Sequence, residues 1–99
     1  MGHTACGAIT GAIDNAEFGK LTGRLAKIKP AVAATEYAGA CTSSSYTFVD
    51  AVARKNVEFT VSNIRKASPV LAGMESSGAV KIAGAMYNLQ TDVVDFFRA

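Results

Sequence analysis

A histidine and a cysteine stand three residues apart in the opening run MGHTACGAITGAI, among small residues. Imidazole nitrogen and thiolate sulfur are both zinc donors, so His3 and Cys6 form half of a candidate metal site. Cys6 begins a helix-forming run, where free N–H groups and the helix dipole favour thiolate. Gly7 and Ala8 keep that first turn small, which leaves room for a metal and a small substrate. His3 comes just before the helix and can aim a ring nitrogen at the same point. Two donors do not make a zinc enzyme, and the alternative for the pair is a remnant near the N-terminus that holds no metal.

The other chemistry-bearing residues read more plainly. Cys41, the second of two cysteines, lies in the loose stretch GACTSSS over residues 39–45 and reads as a buried thiol rather than a ligand. Lys20, Arg24 and Lys27 share a helical face that reads as solvated surface rather than an anion site. Phe96-Phe97 reads as core or subunit contact rather than a substrate pocket. Asp14, Glu17 and Asp50 show no pairing that suggests acid–base work.

Ninety-nine residues make one domain at most, here 1–99. Hydrophobic residues are 49% and charged residues 18%, more apolar than a small self-sufficient domain needs, so a homo-oligomer, dimer or higher, is expected. A net charge of +2 is too mild to argue for nucleic acid or an anionic membrane. Polar residues interrupt every apolar run short of the ~20 residues that span a bilayer. The first residues lack a charged and apolar leader, and two distant cysteines suit free thiols, so the expected location is cytoplasmic.

The elements that must position the pair are mostly helical. Helices are expected from Ala5 to about Ala16, Leu21 to Ile28 and Pro30 to Tyr37, with Pro30 opening the third and Gly39 stopping it. Ser44 or Ser45 caps a long helix reaching about Lys66. Its core face is Val49, Val52, Ala53, Val57, Thr60, Val61 and Ile64, recurring mostly every three or four residues. Ser68 caps a short helix, Pro69 takes its first turn and Gly78 ends it. The period then falls towards two: AVKIAGAMYNL and DVVDFF, joined at Gln90-Thr91-Asp92, predict a C-terminal strand pair. A hairpin alone is marginal, and the apolar strand Val80–Met86 is expected to lack a parallel neighbour, with Ile82 mid-strand.

GHTACGA, EFGKLTGRLAKIKPAV, FVDAVARKNVEFTVSNIR, SPVLAGMES and VKIAGAMYNLQTDVVDFF, in that order, resemble the C-terminal part of a β-class carbonic anhydrase. The resemblance covers the whole chain, and the ordered series carries it more than His-x-x-Cys alone. It implies an α/β fold, here the C-terminal portion of a β-carbonic-anhydrase-like fold with several helices plus a C-terminal strand pair. It also implies a zinc-dependent lyase reaction, the reversible hydration of carbon dioxide to bicarbonate. In the family two cysteines and one histidine hold the zinc. His3 and Cys6 match the histidine and second cysteine of its G-H-x-x-C-G-A segment, together with Gly2, Gly7 and Ala8.

The family's first cysteine belongs to an upstream C-x-D-S-R segment, whose aspartate and arginine pair beside the zinc-bound water. These 99 residues contain no such segment. Met1 falls where the family has the end of a buried strand, so the chain reads as a member without its N-terminal half. Activity would then need a complementing N-terminal chain. The alternative is a non-catalytic oligomeric remnant or structural protein, with zinc shared between subunits as a Cys₂His₂ site built from His3 and Cys6 of two copies.

Overall fold

The computed structural model describes residues 1–15, 21–35, 37, 39, 42 and 44–97. The chain runs through β1 (Gly2–His3), α1 (Gly7–Ile13), α2 (Leu21–Ala26), α3 (Lys29–Ala34), α4 (Tyr46–Ala67), α5 (Pro69–Ser77), β2 (Gly84–Tyr87) and β3 (Val94–Phe97). The expected α/β character holds, with helices packed against a small mixed sheet. No described helix is long and apolar enough to cross a membrane.

Helix α4 organises the rest. The Ser45 side chain accepts from the Phe48 N–H at 3.4 Å, and Arg65 and Lys66 place positive charge in the last turn, where the helix dipole favours it. Phe48, Val49, Val52, Ala53, Val57 and Val61 form the buried stripe. Ile9 of α1 and Ala31 of α3 join them in the core, with Tyr37 against the Phe48 ring at 5.4 Å. Thr60 and Ile64, expected on that stripe, are exposed. Thr60 turns its hydroxyl back to the Asn56 carbonyl, and Ile64 is 38% exposed.

The shorter helices follow local signals. Helix α3 begins at Lys29, with Pro30 inside its first turn, where a missing N–H leaves no bond unmade. Ser68 caps α5 by accepting from the Leu71 N–H at 3.2 Å, and Gly78 at φ 83° supplies the left-handed C-terminal residue. Arg65 of α4 grips Glu75 of α5 through Nε–Oε1 at 2.7 Å and Nη2–Oε2 at 2.9 Å. Those bonds hold the Glu75 carboxyl below its ordinary range.

The expected C-terminal strand pair is present, and the sheet adds a third strand to it. It has three strands in the order β1-β2-β3, because Gly2 and His3 lie parallel to Met86 and Tyr87. Strand β3 runs antiparallel to β2 in the register Gly84↔Phe97 to Tyr87↔Val94. The expected Val80–Met86 strand is thus shorter at its start, and it has a parallel neighbour only at Met86 and the following Tyr87. Ile82 is outside it, and its N–H points at Glu75 Oε2, 3.4 Å away, instead of into a ladder. Apolar character alone does not make a strand; a partner must stand opposite.

Glycine lets the sheet approach α4. A Cβ on Gly2 would fall 3.0 Å from Val57 Cγ2 and 2.8 Å from Met86 Sδ. A Cβ on Gly84 would fall 3.0 Å from Val57 Cγ1 and 2.8 Å from Phe97 Cε2. Val57 therefore seats its two methyls against two bare backbones, and that contact sets how close β1 and β2 come to the helix.

Candidate metal centre

Strand β1 ends at His3, the chain reverses through Thr4 and Ala5, and Cys6 is the N-cap residue of α1. Cys6 has extended backbone dihedrals (φ −72°, ψ 120°), and its carbonyl accepts from the Thr10 N–H at 3.0 Å. The expected helix start at Ala5 moves to Gly7, because Ala5 is in the left-handed region at φ 50° and cannot join a right-handed helix.

Bonds from separate elements hold this reversal. The Thr4 N–H donates to the Tyr87 carbonyl at 2.9 Å, continuing the β1–β2 ladder. Thr4 Oγ1 accepts from the Leu89 N–H at 3.0 Å, and Asp50 Oδ1 accepts from the Ala5 N–H at 2.9 Å. His3 Nδ1 is 2.9 Å from the Thr4 carbonyl. A carbonyl only accepts, so that contact needs the proton on Nδ1 and leaves the Nε2 lone pair available. Metal-binding histidines have the same arrangement, one nitrogen donating to a carbonyl and the other facing the metal.

His3 and Cys6 line one cavity of 240 Å³, closed by Gly2, Ile28, Asn56 and Thr60. Cys6 is a free, half-buried thiol. The spacing of the pair therefore brings both side chains to one small site. A larger cavity of 470 Å³ lies between α3 and the far half of α4, lined by Lys27, Pro30, Phe59, Asn63 and Ile64, with no paired ionisable groups.

A catalytic zinc takes three protein ligands and one open position. Among the described residues no group of three His, Cys, Asp or Glu side chains comes together. The donors present thus fall one short of the family's set and do not fit its zinc within these residues. Cys41, Glu17 and Lys20 lie outside the described residues. Arg24 and Lys27 are exposed, and Asp14 is exposed at the end of α1. Phe96 is 76% exposed, while Phe97 is half-buried beneath the Arg54 guanidinium, 4.1 Å from the ring centroid.

Asp50, which the sequence showed without a pairing, has a role in the turn instead. Its partner is 45 residues away, and no local spacing announces the bond. Asn56 and Thr60 also line the cavity, although Thr60 was expected on the core face of α4 and Asn56 was not singled out.

The sequence pattern of the carbonic anhydrase family matches residues 1–94. No curated protein and no solved structure matches the chain. The match spans nearly all of the sequence, including the His3–Cys6 turn and the sheet that carries it, and in order it follows the β-class segments. The chain belongs to the β-class carbonic anhydrase family.

Proposed function

We propose that the chain supplies the histidine and one cysteine of a β-class zinc centre, and that the third ligand comes from outside these 99 residues. The family reaction is the zinc-dependent, reversible hydration of carbon dioxide, and the chain by itself does not perform it. The observation that carries this reading is the state of His3: Nδ1 is tied to the Thr4 carbonyl, and the ring shares a 240 Å³ cavity with Cys6. Two donors are prepared and a third is missing among the described residues. The Asp–Arg pair of the family is missing from the sequence as well. The chain's own residues then hold the half-site: Thr4 orients His3, and Ile28 and Ala53 keep the cavity apolar on the side of a small substrate.

Stopped-flow carbon dioxide hydration with a pH indicator tests the proposal. The chain alone, with zinc added, is expected to match free zinc. Mixed with a polypeptide bearing the family's C-x-D-S-R half, it is expected to gain turnover that Cys6→Ser abolishes. Robust turnover by the chain alone, lost in Cys6→Ser, refutes this reading. Zinc analysis after purification without chelator addresses the structural alternative: one zinc per two chains, without activity, supports a shared Cys₂His₂ site in its place.

A further inference from the structure

We infer that Asp50 is a positioning residue for the His3–Cys6 pair: from α4 it fixes the turn that sets the two side chains against one cavity. The turn needs fixing because Ala5 has φ 50°. A residue with a Cβ stays in the left-handed region only where its surroundings hold it there. Thr4 is bonded to the sheet, through Tyr87 and Leu89, so the sheet side of the reversal is secured. On the helix side the Ala5 N–H donates to Asp50 Oδ1 at 2.9 Å. A carboxylate accepting from a backbone N–H is among the stronger hydrogen bonds.

Asp50 is itself well placed to act as an anchor. It follows Val49, which is fully buried, and precedes Val52 and Ala53, which are 0% and 3% exposed. The helix therefore cannot rotate the carboxylate away without unpacking the core. Ala53 also lines the His3–Cys6 cavity, so one stretch of α4 both walls the site and clamps its turn. Asp50 does not join the donors, since no three such groups converge among the described residues. It acts through Ala5.

The inference rests on the proposed metal role only for its functional meaning, and the test separates the two. In the full chain carrying Cys41→Ser, Cys6 is the remaining thiol. Asp50→Ala is expected to speed iodoacetamide alkylation of Cys6 about tenfold and to remove exchange protection at the Ala5 amide, as loss of a hydrogen bond to a charged group should. Asp50→Asn keeps the acceptor oxygen and is expected to stay near the parent. Adding Ala5→Gly to Asp50→Ala is expected to restore slow alkylation, because glycine takes a positive φ without a clamp.

Cobalt(II) alone, followed by its thiolate charge-transfer absorption, gives the metal arm: Asp50→Ala should weaken binding about tenfold and Asp50→Asn should not. Unchanged alkylation and exchange in Asp50→Ala overturn the inference, as does an Asp50→Asn chain that behaves like the alanine variant. If Asp50→Ala fails to fold, a folded Ala5→Gly/Asp50→Ala chain with slow Cys6 supports the inference, and an unfolded one overturns it. A parent chain that takes up no cobalt while the alkylation arm behaves as expected refutes the metal reading and leaves the role of Asp50 standing.

Discussion

Val57 lies against both β1 and β2, and a double-mutant cycle there tests the packing that positions the sheet on α4. Val57 is 6% exposed, and its Cγ1 would be 3.0 Å from a Cβ on Gly84. Val57→Ala removes two buried methyls, worth about 0.8 kcal/mol each in transfer, and leaves a cavity, so it should cost about 2–3 kcal/mol. Gly84→Ala adds a methyl where Val57 and Phe97 already stand and should cost about 1–2 kcal/mol as overpacking. Phe97 can yield by turning its half-buried ring, at the expense of its contact with Arg54. Val57 cannot yield, because the rest of α4 holds it. In the double variant the new methyl enters the space that Cγ1 leaves. The two costs should therefore sum to about 1–2 kcal/mol too much, the mark of coupled neighbours. Urea unfolding followed by circular dichroism reads this, with a slope of about 1 kcal/mol/M turning the coupling into a midpoint difference of about 1 M. Val61→Ala with Gly84→Ala is the control, since Val61 is 4% exposed but is not among the atoms nearest that glycine. If the Val57 cycle is as additive as the control, Val57 does not set the sheet–helix distance.

Three further outcomes are expected. Glu75 has its carboxyl held below the usual range by Arg65, so its contribution to stability is present above the ordinary carboxylate pKa and is lost as pH falls through the lowered folded value. The acid limb of the urea midpoint should therefore flatten in Glu75→Gln, and superimposable limbs would remove the Arg65–Glu75 bond from the account. Ser68→Ala should cost about 1 kcal/mol through loss of the Leu71 cap while Ser68→Asn costs little; equal losses in thermal melts would show that capping is not the cause. Phe96 and Val94 lie on the sheet face turned away from α4, 76% and 40% exposed, so light scattering should find self-association that weakens in Phe96→Ser with folding stability within about 0.5 kcal/mol of the parent. A monomer at every concentration would contradict that expectation.

The helices were legible because their signals are local. Ser45, Ser68, Pro69 and Gly78 mark ends within a few residues of the backbone groups they satisfy. The buried stripe of α4 was legible for the same reason, apart from Thr60 and Ile64, which keep the three-and-four spacing yet are exposed. The sheet was less legible. Pairing of Gly2 with Met86 joins opposite ends of the chain, and a two-residue strand has no period to detect. The pair His3 and Cys6 was visible by type and spacing. Its support was not, because Asp50 and Tyr87 reach the turn only through the folded chain. A left-handed alanine also leaves no mark in a sequence, whereas a glycine there would have suggested a turn.

The third strand changes where a further chain can join. Strand β3 pairs along all of β2, whereas β1 pairs only with Met86 and Tyr87, so the vacancy expected beside Val80–Met86 is filled only at its end. Among the described residues the edge strands are β1 and β3. A strand added parallel to β1 would lie about 4.8 Å from it and end level with His3, at the end of the sheet where Cys6 also stands. A side chain just beyond that strand could reach the His3–Cys6 cavity. A strand added to β3 would be two strands further away, about 10 Å more, and could not. If the third ligand comes from outside these 99 residues, the edge that receives it is therefore the edge that completes the sheet. Metal and partner should then strengthen one another's binding by the same factor, because one event satisfies both.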